Sequence, residues 1–173
     1  MAGLEDLYRE IILDHYRSPR NRGDLPTPPA YRVEGFNPLC GDEVVLYVDI
    51  DDSGRVTDIK VDGQGCSISQ SSASMMTAAV KGRTEAETRD LIRAFKAMMS
   101  IHERGLDGDV IEGGVESHDG DSGPVAPDPA VDMGELEALR GVVKFPVRIK
   151  CATLSWNTLV EAFDQAGSDR PTD

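Results

Sequence analysis

The sequence predicts an α+β fold: a small antiparallel three-stranded sheet packed against several helices. Two observations predict it. Val44 to Ile50 (VVLYVDI) is a β-branched run beside shorter strand-like segments, and it ends in Asp51-Asp52-Ser53-Gly54, a turn composition. Before and after this block, apolar residues recur with helical period instead. The chain has 173 residues, which suits one domain over 1–167 that buries a core without disulfides. Residues 168–173 are expected to fray.

Leu4, Leu7, Tyr8, Ile11, Ile12 and Tyr16 line one face of a first helix, which Pro19 stops. Residues 17–30, with four prolines and Gly23, read as an extended connector. Residues 31–36, 44–50 and the stretch holding Val56, Ile59 and Val61 read as a meander over 31–62. The alternation in its third strand is imperfect. Gly63 and Gly65 then suggest a close backbone approach to Cys66. Ile68, Ser72, Met75, Met76, Ala79 and Val80 share a helical face that ends at Gly82. Thr84 and Glu87 have capping-box spacing. Leu91, Ile92, Phe95, Met98 and Met99 mark another helix, running to about His102. Met133 to Leu139 suggests a short helix. Cys151 is expected at the start of a last helix whose Leu154, Leu159, Val160 and Phe163 face inward.

Charge narrows the partners. Eighteen basic against thirty-one acidic residues give a net charge of −13. Such a body repels phosphate backbones, so nucleic acid and anionic membrane are poor partners, and a basic protein surface is a better one. Residues 103–137 hold eleven acids and one base, Arg104, and read as an acidic insertion loop. No stretch approaches the roughly 20 apolar residues of a membrane span. MAGLEDLY at the start has no basic region followed by an apolar run, so no signal peptide is expected.

There are three cysteines, Cys40, Cys66 and Cys151, separated by 26 and 85 residues. An odd number of distant cysteines argues against a disulfide framework and fits a reducing, cytoplasmic setting. A lone cysteine is ordinarily a small buried hydrophobe. These three, however, stand at turns or expected helix starts, where free N–H groups and the helix field stabilise a thiolate. Three thiolates and one oxygen donor complete a tetrahedral zinc site, and Asp42 is two residues from Cys40. The spacings match no zinc finger or ribbon. His15 and His102, on helices, and His118, in the acidic stretch, sit in no ligand motif. The serines from Ser67 to Ser74 read as caps and surface, with Ser67 or Ser69 able to donate to a bound sulfur. Trp156 reads as packing, with a place under the site as the alternative.

NPLCGD at 37–42, GQGCSISQSSASMM at 63–76 and FPVRIKCATLSW at 145–156 stand in an order that resembles the SufU branch of the IscU/NifU N-terminal family of iron–sulfur cluster assembly proteins. The resemblance runs from the first helix to Phe163. It implies an α+β fold of the kind read above. It also implies one Zn2+ held by Cys40, Asp42, Cys66 and Cys151, with Cys40 accepting sulfur from the persulfide of a pyridoxal-phosphate cysteine desulfurase of the SufS type. A histidine of that enzyme would replace Cys40 on the zinc. Arg148 matches a family arginine near the site, expected to steady the thiolate or touch the partner. A SufB-type scaffold is a further partner the resemblance allows. Lys150 stands where IscU-type scaffolds have histidine, and the insertion before the last motif is a SufU feature; both favour sulfur transfer. The alternatives are a scaffold that builds a [2Fe-2S] cluster, with iron on the same thiolates, and a non-catalytic structural zinc protein.

Overall fold

The computed structural model describes residues 3–100 and 132–169. Its order is α1 (Leu4–Arg17), β1 (Tyr31–Asn37), β2 (Asp42–Ile50), β3 (Val56–Gln64), α2 (Ser67–Val80), α3 (Glu85–Ser100), a run of 3-10 turns (Gly134–Lys144) and α4 (Pro146–Asp169). The sheet is antiparallel with order β1-β2-β3. This is the predicted α+β architecture, with helices packed against a small three-stranded sheet.

The meander reaches Gln64 rather than 62. Its imperfect third strand has a local cause. Asp49 pairs with Asp58 and Ile50 with Val56, so Thr57 is skipped. One bulged residue restores the phase, and Val56 and Ile59 both face the core although three residues apart. In β2, Val44, Leu46 and Val48 alternate inward. The same alternation turns Asp42 inward, at the end of that row. Asn37, its register partner on β1, is buried beside it. The core face of the sheet therefore ends in two polar residues.

The connector runs beside β3, with Gly23 N–H donating to the Val61 carbonyl and Val61 N–H to the Asn21 carbonyl. It thus covers part of that strand's free edge. The capping box before α3 is reciprocal: Glu87 N–H donates to Thr84 Oγ1 at 3.2 Å, and Thr84 N–H to Glu87 Oε2 at 3.1 Å. Helix α4 lies against β1 so closely that a Cβ on Gly35 would come 2.1 Å from Thr158 Oγ1.

Three expectations change. The short helix at 133–139 is a longer run of 3-10 turns, Gly134–Lys144. The last helix starts at Pro146, so Cys151 is its sixth residue and not its first. Proline suits the first helical position, since its missing N–H would be unpaired there anyway. That helix runs on to Asp169, past the expected start of the tail at 168. The expected run of α3 to about His102, the acidic stretch from 103 through 131 and residues 170–173 lie outside the described residues. Among those described, no helix is long and apolar enough to cross a membrane.

Candidate metal centre

Three elements bring the site together. Asp42 opens β2, Cys66 caps α2, and Cys151 lies in the second turn of α4. Cys40 lies on the short turn between β1 and β2. The ligand atoms of Cys40, Asp42 and Cys151 all lie within 4.8 Å of one another. Cys40 is exposed, Cys66 half-buried and Cys151 buried.

Cys66 stands at the rim of this cluster rather than inside that spacing. Its N–H donates to Asp42 Oδ1 at 2.9 Å, and its sulfur accepts the Ser69 N–H at 3.5 Å. It thus caps a helix start, as expected, with the Ser69 N–H directed at the sulfur. The charge on that sulfur, together with a hydrogen bond to it, holds the Arg148 guanidinium above its ordinary range. Cys151 and Cys40 add to the effect less strongly. Arg148 therefore belongs first to Cys66.

Asp42 is fully buried. Burial pushes its carboxyl up, but hydrogen bonds from the Cys66 N–H, the Cys151 thiol, the Asn37 amide and Ser69 outweigh burial and hold it below the usual carboxylate range. Gly65 makes this approach possible, since a Cβ there would come 2.4 Å from Ser69 Oγ and 2.6 Å from Asp42 Oδ1. Cys151 departs from expectation. It is too far along α4 for the helix field to lower it. Burial, then hydrogen bonds to Asp42 and Cys40, push its thiol strongly upward. Its Sγ faces the Val147 carbonyl at 3.9 Å.

The helix under the site is fixed from below. Trp156 is fully buried and stacks on Phe95, with centroids 4.2 Å apart and planes 13° from parallel. Its Nε1–H donates to Ser72 Oγ at 3.1 Å, and Ser72 Oγ donates to the Ala152 carbonyl at 2.6 Å. Ala152 is the neighbour of Cys151. Trp156 thus packs and also lies under the site: α4 is tied to α2 one residue from a candidate ligand. Ser69 meets Cys66 through its backbone N–H, while its hydroxyl donates to the Cys66 carbonyl at 3.1 Å.

His15 is buried away from this cluster, between Ser74 Oγ at 2.8 Å and Glu135 Oε2 at 2.7 Å. Asn37 stands in the quoted NPLCGD motif without an assigned role, yet it faces both Asp42 and Cys151. Asparagine at the end of a strand reads as turn chemistry, so its second contact could not be seen without the fold.

The model of the NifU-like N terminal domain matches residues 7–152. The chain belongs to this family of iron–sulfur cluster assembly proteins. It is 41% identical over 158 residues to the zinc-dependent sulfurtransferase SufU of Bacillus subtilis, covering 91% of this chain and 90% of that one. It is 34% identical to the iron–sulfur cluster assembly scaffold protein IscU of Streptococcus pyogenes serotype M1, over 97% of this chain and 89% of that one. Among solved structures it is similar to FiSufU of Fervidobacterium islandicum AW-1, a SUF-system protein. The TM-score there is 0.67 at 29% identity, covering 91% of this chain and 96% of that one. The family role is therefore sulfur and iron–sulfur handling, and the Cys40, Asp42 and Cys151 cluster is a candidate metal centre within it.

The donor set fits a zinc ion. Two sulfurs and an ionised carboxylate converge, with a third sulfur at the rim, and this mixture of soft and hard donors is one zinc accepts. On the other side of Cys151, Lys150 is exposed.

Proposed function

We propose that the chain accepts sulfur on Cys40 from the persulfide of a pyridoxal-phosphate cysteine desulfurase of the SufS type and passes it to iron–sulfur cluster assembly. Zn2+ is the resident ion of this reading, held by Cys40, Asp42, Cys66 and Cys151. One observation carries it. Of the three cysteines only Cys40 is exposed, and it lies on a turn while its sulfur reaches two buried donors. The arrangement offers one accessible thiol and two anchored ones.

Zinc, when bound, would keep these thiols deprotonated without oxidising them. The rest is done by the chain. The Cys40 thiolate attacks the terminal sulfur of the donor persulfide. A new S–S bond forms on Cys40 as the donor's S–S bond breaks, and the electron pair leaves with the donor cysteine as a thiolate. No net oxidation occurs, and the attacking sulfur must be ionised, accessible and in line. Cys66 and Cys151 stay with Asp42, and Arg148 offsets the negative charge on the Cys66 side.

The surroundings favour a protein donor. Phe36, Leu39, Phe145 and Val147 are exposed apolar residues on the segments that carry the site. Between Glu137 and Glu161 the sequence has four cations and no acid, in a chain of net charge −13. A groove of about 700 Å³ beside Arg148 opens between α1, the start of α2 and the 3-10 run. A large partner could cover such a face.

The test is purification without oxygen or added metal, then a desulfurase assay with Cys40→Ala. About one zinc per chain, stimulation of the desulfurase, and loss of stimulation in Cys40→Ala are expected. Brown protein holding iron and acid-labile sulfide would instead assign the chain to scaffolding, as the name of the Streptococcus relative has it. Zinc without stimulation and without persulfide on Cys40 would leave a structural site.

A further inference from the structure

We infer that Asn37 is a positioning residue: its carboxamide holds Asp42 and Cys151 as a fixed pair and sets the turn that carries Cys40 over them. The inference rests on the metal reading above and adds to it a residue that does not touch the ion.

The geometry uses the side chain from both ends. Asn37 is buried at the last position of β1. Its Nδ2 donates to Asp42 Oδ2 at 3.3 Å and to Cys151 Sγ at 3.6 Å. An amide nitrogen has two hydrogens, so each acceptor can take one. Its Oδ1 accepts the Leu39 N–H at 3.2 Å, and its main-chain carbonyl accepts the Gly41 N–H at 2.9 Å. Leu39 and Gly41 flank Cys40. One residue therefore binds the turn on both sides of the exposed cysteine and also binds the two buried donors.

The choice of side chain follows. Aspartate has the same shape and could still accept the Leu39 N–H. It would, however, set a carboxylate against the Asp42 carboxylate and the Cys151 sulfur, where both donors are needed. Serine or alanine would not reach. Asp42 is a buried carboxylate and Cys151 a buried sulfur, and a neutral donor satisfies both without cancelling the carboxylate charge. When Cys40 leaves the cluster to take sulfur, Asp42 and Cys151 keep this partner. The site is then held ready for the return of Cys40 rather than dispersed.

Two variants separate the roles. Asn37→Asp keeps the acceptor for Leu39 and loses the donors. Asn37→Ala loses both. Zinc affinity is measured by competition with a chromophoric chelator, thermal unfolding on the metal-free chain, and Cys40 accessibility by its rate of alkylation with iodoacetamide in the metal-free chain. Groups that orient metal ligands typically change affinity by about 10- to 100-fold. The expected pattern is a loss of about tenfold or more in zinc affinity for both variants. Cys40 alkylation should become several-fold faster in Asn37→Ala and stay near native in Asn37→Asp. Zinc binding by Asn37→Asp within twofold of the native chain would overturn the inference, as would unchanged alkylation in folded Asn37→Ala. A purely structural Asn37 would lower metal-free melting in both variants without this split. If Asn37→Ala does not fold, the affinity of Asn37→Asp decides. If the native chain binds no zinc, the metal reading fails by itself, and the alkylation rates in metal-free protein still decide whether Asn37 sets the turn.

Discussion

At Cys151 two demands pull on one sulfur. A zinc ligand must be a thiolate, yet this thiol is buried and pushed upward, first by burial and then by hydrogen bonds to Asp42 and Cys40. In the metal-free chain near neutral pH it therefore carries its proton, and metal binding must release it. The signs follow. Zinc affinity should rise with pH, by as much as tenfold per unit for each proton released. Metal-free stability should move the other way. An unfolded cysteine ionises near 8.5, whereas the folded thiol holds its proton longer, so stability is present below about pH 8.5 and is lost as the pH climbs toward the raised folded value. Zinc titration in weakly buffered solution, with protons counted, checks the first part. Urea unfolding of the metal-free protein between pH 7 and 9.5 checks the second. Zinc affinity independent of pH would show that Cys151 is already ionised or is not a ligand.

On the scale of elements, the link between α2 and α4 runs through one hydroxyl. Ser72 accepts from Trp156 and donates to the Ala152 carbonyl, all three groups being buried. Ser72→Ala should leave the Trp156 Nε1–H without a partner, at a cost of about 1–3 kcal/mol. Chemical unfolding of the metal-free chain reads that cost, and zinc affinity should fall as well because Cys151 is next to Ala152. A loss of stability with unchanged affinity would show that α4 keeps Cys151 in place by itself. This link also marks where sequence reading stops. The period of apolar residues showed α2, α3 and the inward face of α4, because periodicity is local. The partner of Trp156 is 84 residues away, and that of Asn37 is 114 residues away. The three cysteines and Asp42 could be picked out because their chemistry is uncommon, whereas an asparagine and a serine are ordinary until the fold gives them neighbours. The start of α4 is legible in Pro146, which suits the first helical position, whereas Cys151 lies in the second turn.

Across the whole molecule, one histidine joins three elements that no local pattern relates. His15 on α1 is 1% exposed. Its Nδ1 meets Ser74 Oγ on α2, and its Nε2 meets Glu135 Oε2 on the 3-10 run. Ser74 Oγ also accepts the Arg20 N–H at 2.8 Å, just after α1. That bond uses one lone pair of the hydroxyl and leaves its hydrogen for His15. The neutral ring with its proton on Nε2 satisfies everything at once: Ser74 donates to Nδ1, and Nε2–H donates to Glu135. The start of the 3-10 run is thus fastened on a ring buried between two helices. The two contacts are unequal. Glu135 has 62% of its side chain exposed, so water can replace it, and Glu135→Gln should cost under about 1 kcal/mol. His15→Ala removes a buried ring and leaves the Ser74 hydroxyl hydrogen without its acceptor, and should cost about 2–4 kcal/mol. Urea unfolding of both variants checks the inequality. Equal costs would mean that the Glu135 contact, rather than the buried ring, fastens the 3-10 run to α1 and α2.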